Sequence, residues 1–201
     1  TPRQYQAKWM EVYREKLAGT PAPVDDAAAK VDGTTTTTTA PAVPGCGGPG
    51  SAFVSGEYAL PVDRTWYEQH PNWFTKPHHD YPAADIPVPT GTPLYAMTSG
   101  VVASLTTSGR CGVGVILNGN DGAQYTYCHG LPGSHAVAAG DTVTAGQFLM
   151  SSASTGNSTG PHLHLGIRVD GVQRCPQPLL VAVADRTATD VRRLPDRGCS
   201  Y

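Results

Sequence analysis

The chain has little charge and no long hydrophobic run. Charged residues make up 15% of its 201 residues, well below the roughly 25% typical of soluble proteins. The formal net charge is −2, so neither nucleic acid nor a cationic partner is indicated. No run of about 18 apolar residues occurs, so no membrane span is expected. The sequence begins at Thr1 without a methionine or a signal peptide, which predicts a processed or excised product.

The signatures of several other site types are also missing. No C-x-x-C pair occurs, so a structural zinc knuckle is not indicated. The glycines of "GRCGVG" precede a strand, but they lack the lysine and the following helix of a phosphate-binding loop. There is no G-x-S-x-G, the nucleophile elbow of serine hydrolases. Candidate chemistry therefore rests on histidines and carboxylates.

Turn-forming residues are abundant, with 23 glycines and 18 prolines, which favours many turns over long helices. From Ala52 onward, short β-forming runs alternate with turns: "EYALPV", "PLYAMTSGVVASLTT", "VGVILNG", "AQYTYCHG", "DTVTAGQFLM" and "HLHLGIRVDG". This spacing predicts an all-β domain over residues 52–201, built on antiparallel sheet. A short helix is predicted near "PLLVAVAD".

Two further segments precede this domain. In "YQAKWMEVYREKLAG", apolar residues recur at three- and four-residue spacing, so residues 1–19 are predicted to hold an amphipathic helix or the end of an upstream domain. Residues 20–51 are rich in Thr, Ala, Pro and Gly without periodicity, which predicts a flexible linker. Together the helix and linker predict a tether to an upstream domain, an envelope complex or a phage particle.

The cysteines predict disulfides. The stretch "CGVGVILNGNDGAQYTYC" has β-forming residues on both sides of "NGND", a strong hairpin signal. A turn centred between Gly119 and Asn120 places Cys111 opposite Cys128, where Cα atoms lie about 4.5–5.5 Å apart and a disulfide can form. Two buried free thiols are the alternative. A disulfide here implies an oxidising compartment.

The histidines are concentrated in three short segments, "KPHHDYPAADIPVPTGTP", "YTYCHG" and "PHLH". His162 and His164 are two residues apart, so in a strand their side chains share one face. Leu163, Leu165 and Ile167 occupy the other, apolar face. Because a histidine face has no packing role, the spacing indicates a metal site, with two exposed histidines on an edge strand as the alternative.

The remaining segments supply possible partners. A catalytic zinc ion takes three ligands from His, Asp and Glu and leaves one position for water. His78, His79 and Asp85 lie in one turn-rich stretch. His129 ends the hairpin strand and is predicted to share a face with Tyr125 and Tyr127. Two histidines belong to none of these segments and are predicted to be ordinary surface or loop residues: His70 and His135.

The segments resemble, in their order along the chain, the lysostaphin-type (LytM-like) zinc metalloendopeptidases. The resemblance rests on "HDYPAADIPVPTGTPLYA", "YTYCHG", "GDTVTAGQ" and "STGPHLHLGI", and it covers about residues 55–175. These secreted or envelope enzymes cut peptide bonds in bacterial peptidoglycan. The resemblance therefore implies a barrel-like antiparallel fold, one Zn²⁺ ion per chain, a peptidoglycan peptide as substrate and an extracytoplasmic location.

The resemblance also implies the metal ligands. Asp85 and His164 match the second and third ligands of the family directly. The usual H-x-x-x-D spacing falls on Tyr81, which is not a histidine, so this chain has a longer loop at this point. His79, six residues before the aspartate, is the predicted first ligand, and His78 is the alternative.

The family's catalytic pair matches His129 and His162. One imidazole is expected to take a proton from the attacking water, and the other is expected to stabilise the oxyanion; the sequence does not assign which. A non-catalytic LytM-like module that binds cell wall or activates a hydrolase is the alternative function. A carrier or structural β domain with incidental histidines is a third reading, and it leaves the order of the histidine segments unexplained.

The last two cysteines bracket the C-terminal segment and form the second candidate pair. The stretches "CPQPLL" and "LPDRGCSY" are similar to an actinobacterial branch of the same family, which supports a Cys175–Cys199 disulfide. Cys46 is then left free or paired outside this chain.

Overall fold

The computed structural model describes residues 52–187 and 189–199. The helix predicted for residues 1–19 and the linker predicted for residues 20–51 lie outside the described residues. Within the described part, no helix has the length and apolar character needed to cross a membrane.

Antiparallel strands dominate the described residues, which confirms the all-β prediction. The strands are β1 (Val54–Ser55), β2 (Tyr58–Ala59), β3 (Ala84–Pro87), β4 (Pro93–Tyr95), β5 (Gly100–Ser108), β6 (Gly112–Gly119), β7 (Ala123–Gly130), β8 (Thr142–Val143), β9 (Phe148–Ser151), β10 (His162–Val169) and β11 (Val172–Arg174). Every pairing among them is antiparallel.

Within residues 52–187 and 189–199, three short α-helices accompany the strands: α1 (Arg64–Gln69), α2 (Pro71–Thr75) and α3 (Gln177–Ala184). The last of these confirms the helix predicted near "PLLVAVAD", whereas α1 and α2 were not predicted. The Trp66 indole N–H of α1 donates a hydrogen bond to the Pro87 carbonyl at the end of β3, at 2.9 Å. Helix α1 is therefore tied to the strand that carries a candidate metal ligand.

The main sheet has seven strands. Six follow the order β11-β10-β7-β6-β5-β8, and β3 pairs separately with β10. Strand β3 pairs with the first half of β10, at residues 162–165, and β11 pairs with its second half, at residues 167–169. Two smaller sheets consist of β1 with β2 and β4 with β9. Strand β10 is thus the element that brings β3 and β7 together.

Alternation along β10 follows the sequence prediction. Leu163 and Leu165 are fully buried, and Ile167 is 1% exposed. These residues join one hydrophobic core with Tyr125 and Tyr127 of β7. Because successive side chains point to opposite faces, His162 and His164 lie on the face of the sheet turned away from this core.

Both predicted disulfides are present, Cys111–Cys128 and Cys175–Cys199. The predicted hairpin register, however, is wrong. Asn118 pairs with Gln124, so the turn centres on Asp121. The reason is a longer loop that uses Gly122 in the left-handed region, at φ 85°. A register irregularity near the start of β6 compensates, and the Cα atoms of the first disulfide lie 4.7 Å apart.

Candidate metal centre

The register between β3 and β10 builds the centre of the site. Asp85 and His164 are directly opposed across these strands, so their side chains project from the same face. His164 Nδ1 lies 2.8 Å from Asp85 Oδ1. His162 Nε2 approaches the same carboxylate oxygen to 3.6 Å. Three residues predicted from the sequence therefore converge on one point.

The loop between α2 and β3 adds a histidine from the side. His78 Nε2 lies 3.7 Å from Asp85 Oδ2, and its side chain is only 7% exposed. Its ring centroid is 5.2 Å from that of His164. His79 is 76% exposed and lies 3.1 Å from an oxygen of Asp80. The predicted ligand His79 is thus at the rim of the site, although its ligand atom lies within 4.8 Å of those of His78 and Asp85.

This donor set fits a zinc ion. With bonds of about 2.0–2.1 Å to a tetrahedral ion, neighbouring ligand atoms lie about 3.3 Å apart. His164 Nδ1 lies 2.8 Å from Asp85 Oδ1, and His78 Nε2 lies 3.7 Å from the other carboxylate oxygen, Oδ2. Two imidazole nitrogens and one carboxylate oxygen also form a usual ligand set of catalytic zinc.

The electrostatics favour the protonation states that bind a metal. Burial raises the pKa of Asp85, but the hydrogen bond and positive charge offered by His164, with the nearby His162 and His78, outweigh it and leave the pKa lowered. Burial also lowers the pKa of His78, against the opposing effect of the Asp85 charge. At neutral pH the site therefore offers a carboxylate and a neutral imidazole, which are the forms that coordinate metal ions.

The side chain of His129 reaches the site through an unusual backbone conformation. In a regular strand it would share the core face with Tyr127, as predicted. Instead its φ is 66°, in the left-handed region that non-glycine residues rarely adopt. Its ring centroid lies 4.5 Å from that of His162 and 5.9 Å from that of His164. Its backbone N–H donates to the Cys111 carbonyl at 2.9 Å, which holds this conformation next to the disulfide.

The two predicted catalytic histidines share one hydrogen-bonding pattern. His129 Nδ1 lies 2.6 Å from the Thr155 carbonyl oxygen, and His162 Nδ1 lies 2.8 Å from that of Gly160. Since a carbonyl only accepts, each Nδ1 donates its proton to the carbonyl, and in a neutral ring with this tautomer Nε2 is the acceptor. Burial lowers the pKa of His129 more than the Thr155 contact raises it. This imidazole therefore stays neutral to a lower pH than a solvent-exposed histidine.

Tyr81, for which the sequence left a place in the groove wall and simple packing as equal alternatives, joins the site. Its hydroxyl lies 3.3 Å from His164 Nε2. When that nitrogen carries the ring proton and donates it to the hydroxyl, Nδ1 keeps its lone pair for a metal. Burial and the Asp85 charge raise the pKa of Tyr81, so the hydroxyl stays neutral. The one sequence signal was that Tyr81 falls four residues before the aspartate, where the family has a histidine.

A cavity of about 250 Å³ opens beside the cluster. Its walls include Trp73, Lys76 and Pro87 together with His78 and Asp85. Because ligand pockets are usually about 300–1,000 Å³, this cavity offers room for part of a substrate next to the candidate ligands. The two remaining histidines of the described residues lie away from the cluster, with His70 stacked on Trp73 at 3.9 Å and His135 bonded to the Gly114 carbonyl at 3.0 Å.

Comparison with known proteins gives a family match and several relatives. Residues 79–176 match the model of Peptidase family M23. The DD-carboxypeptidase/endopeptidase Mpg of Neisseria meningitidis serogroup B is 31% identical over 124 residues, which are 62% of this chain and 28% of that protein. The peptidoglycan DD-endopeptidase ShyA of Vibrio cholerae is 31% identical over 119 residues, or 55% of this chain and 27% of that protein. The chain thus spans under a third of the length of these relatives.

Solved structures include a similar domain. The catalytic domain of lysostaphin from Staphylococcus simulans, an antimicrobial peptidase, is 28% identical. The alignment covers 60% of this chain and 98% of that one, with a TM-score of 0.49.

Proposed function

We propose, on the premise that residues 79–176 form a Peptidase family M23 domain, that this chain is a zinc-dependent endopeptidase acting on bacterial peptidoglycan. The observation that carries the proposal is the convergence of Asp85, His164 and the His78–His79 pair on one point, with two further histidines facing it. A non-catalytic module would have no need of a complete donor set with an adjacent pair of proton acceptors.

The residues divide into ligands and proton carriers. Asp85, His164 and one histidine of the His78–His79 pair would hold the ion. When bound, zinc supplies a water that ionises near neutral pH and an electrophile for the peptide carbonyl. His129 and His162 each present an unprotonated Nε2, so either can accept the proton of the attacking water. Once protonated, the same imidazole can stabilise the oxyanion or donate a proton to the leaving amine.

The substrate and location follow from the same premise. One relative is named a DD-carboxypeptidase/endopeptidase and another a peptidoglycan DD-endopeptidase, which supports a peptide of the bacterial wall as the substrate. The two disulfides are expected in an oxidising compartment, so the chain is proposed to be secreted or to act in the cell envelope. A tether through residues 1–51 to an upstream domain, an envelope complex or a phage particle remains part of this proposal.

Metal removal tests the proposal. The purified full chain is expected to hold about one zinc ion, because the described site offers one set of three ligands. Chelation should abolish the release of amino groups from purified peptidoglycan, and added zinc should restore it. Elemental analysis and an amine assay check both parts. A chain that holds no zinc, or whose activity survives complete chelation, would favour the non-catalytic module or another mechanism.

A matched pair of variants assigns the first ligand. The motif predicts His79, whereas the geometry favours His78, which is buried and faces Asp85. We therefore expect His78→Ala to weaken zinc binding by two orders of magnitude or more. Loss of a residue that only hydrogen-bonds to a metal ligand typically lowers metal affinity about 10–100-fold, and loss of the ligand itself should cost at least as much. His79→Ala should change the zinc dissociation constant by less than about threefold. The reverse pattern in a chelator competition assay would establish His79.

A further inference from the structure

We propose that Gln177 is a positioning residue that fixes both ends of the loop carrying the first metal ligand, and this inference rests on the proposed metal site. The metal-ligand loop is defined as residues 76–83, between α2 and β3. Gln177 is the first residue of α3 and lies just beyond the Peptidase family M23 match, which ends at residue 176. It lies in another part of the sequence, about one hundred residues from the loop.

The contacts of this side chain bracket the loop. Gln177 is fully buried. Its Nε2 donates one hydrogen bond to the Lys76 carbonyl at 3.0 Å and another to the Ala83 carbonyl at 2.7 Å. A glutamine amide has two N–H donors, so both are used on the two ends of one loop. A single side chain therefore sets the distance between the point where the chain leaves α2 and the point where it enters β3.

The loop has few other polar ties. Outside helices and strands, no backbone–backbone hydrogen bond of the described residues involves residues 77–82. The backbone N–H groups of Asp80 and Tyr81 reach only the His78 ring, at 3.2 and 3.5 Å. Apart from the contacts of His78 with Asp85 and of Tyr81 with His164 inside the site, the two bonds from Gln177 are therefore the polar ties that close the loop.

The burial of this glutamine is costly in itself. Its Oε1 is buried and has no hydrogen-bond partner among the described residues, and a buried unpaired acceptor destabilises a fold. An apolar side chain of similar length would avoid that penalty. A role for the two donated bonds accounts for the glutamine, because its amide NH2 donates to both carbonyls from one atom without carrying a charge.

Loss of the Gln177 hydrogen bonds is expected to change the binding of the metal rather than the pairing of the sheet. The Asp85–His164 contact is set by the pairing of β3 with β10, which does not involve Gln177. The position of His78, by contrast, depends on where the loop begins and ends. Loss of the two bonds should therefore leave the Asp85–His164 pair in place and weaken the zinc affinity by about 10–100-fold, as is usual for residues that orient a ligand.

Zinc affinity in three variants tests this inference. Gln177→Met has similar length and no donor, and Gln177→Glu keeps the shape but loses both N–H groups. Val183→Ala is the matched control, because Val183 lies in the same helix and is 2% exposed. Its truncation destabilises α3 without removing a hydrogen bond to the loop. Dissociation constants from competition with a chromogenic chelator, at a temperature where all variants are folded, should rise about 10–100-fold for both Gln177 variants and stay within twofold for Val183→Ala.

The outcomes separate this inference from the proposed function. Wild-type zinc affinity in either folded Gln177 variant would overturn it, as would equal weakening in Val183→Ala, since the effect would then be general destabilisation. Gln177→Glu keeps the test valid if Gln177→Met does not fold. The measurement needs no substrate, so a wild-type chain that binds zinc but cleaves no peptidoglycan would reject the peptidase proposal and leave the role of Gln177 standing.

Discussion

The His164→Ala variant is expected to lose both bound zinc and peptidase activity while keeping its fold. His164 Nδ1 lies 2.8 Å from Asp85 Oδ1, at the centre of the donor set, and its removal leaves too few ligands for a catalytic zinc site. Zinc content should fall from about one ion per chain to near zero. Amine release from peptidoglycan should fall to the rate without enzyme. Elemental analysis and the amine assay, run on the same preparations, measure both losses.

A residue on the same strand provides the control. Arg168 lies four positions further along β10, on the same face of the strand, and is exposed. The Arg168→Ala variant should hold zinc and cleave peptidoglycan like the wild type. If His164→Ala keeps its zinc, the metal lies elsewhere and the account of the site is wrong.

The His129→Ala and His162→Ala variants are expected to keep zinc but to lose most of their activity. Neither side chain belongs to the proposed ligand set, and each presents an unprotonated Nε2 to the site because its Nδ1 faces a backbone carbonyl. Removal of a general acid or base typically lowers the rate by about 10²–10⁴-fold. The rate constant for peptidoglycan cleavage and the zinc content per chain, measured together, distinguish this result from loss of the metal.

His135→Ala is the matched control for these two variants. His135 is also a partly buried histidine bonded to a backbone carbonyl, at 3.0 Å from Gly114 O, but it lies outside the cluster. Its replacement should leave the rate within about twofold, because surface changes away from a site are usually small. A zinc-free His129→Ala variant would show that His129 is a ligand, and full activity in both variants would remove them from the mechanism.

The features that follow from strand periodicity could be predicted. Alternation fixes that His162 and His164 share a face while Leu163 and Leu165 enter the core, and both statements hold in the structure. The pairing of Asp85 with His164 could not be read from periodicity, since the register between distant strands depends on tertiary packing. There the resemblance to a known family supplied the partner.

The features that depend on local backbone geometry could not be predicted. His129 turns into the site because its φ is 66°, and a non-glycine residue in that region has no sequence signature. The loop before β3 is longer than the family spacing, so the sequence favoured His79, while the fold turns His78 inward. The buried contacts of Gln177 with the same loop join residues about one hundred positions apart, which no local pattern reports.

The most direct test of the central claim is the chemistry of the products released from purified peptidoglycan. The full chain with zinc is incubated with peptidoglycan, and new amino groups and new reducing sugar ends are counted in the same samples. The account predicts that amino groups accumulate with time and that reducing ends do not. New reducing ends without amino groups would indicate a glycan-cleaving enzyme, and no release of either by the zinc-loaded chain would contradict the assignment as a peptidase.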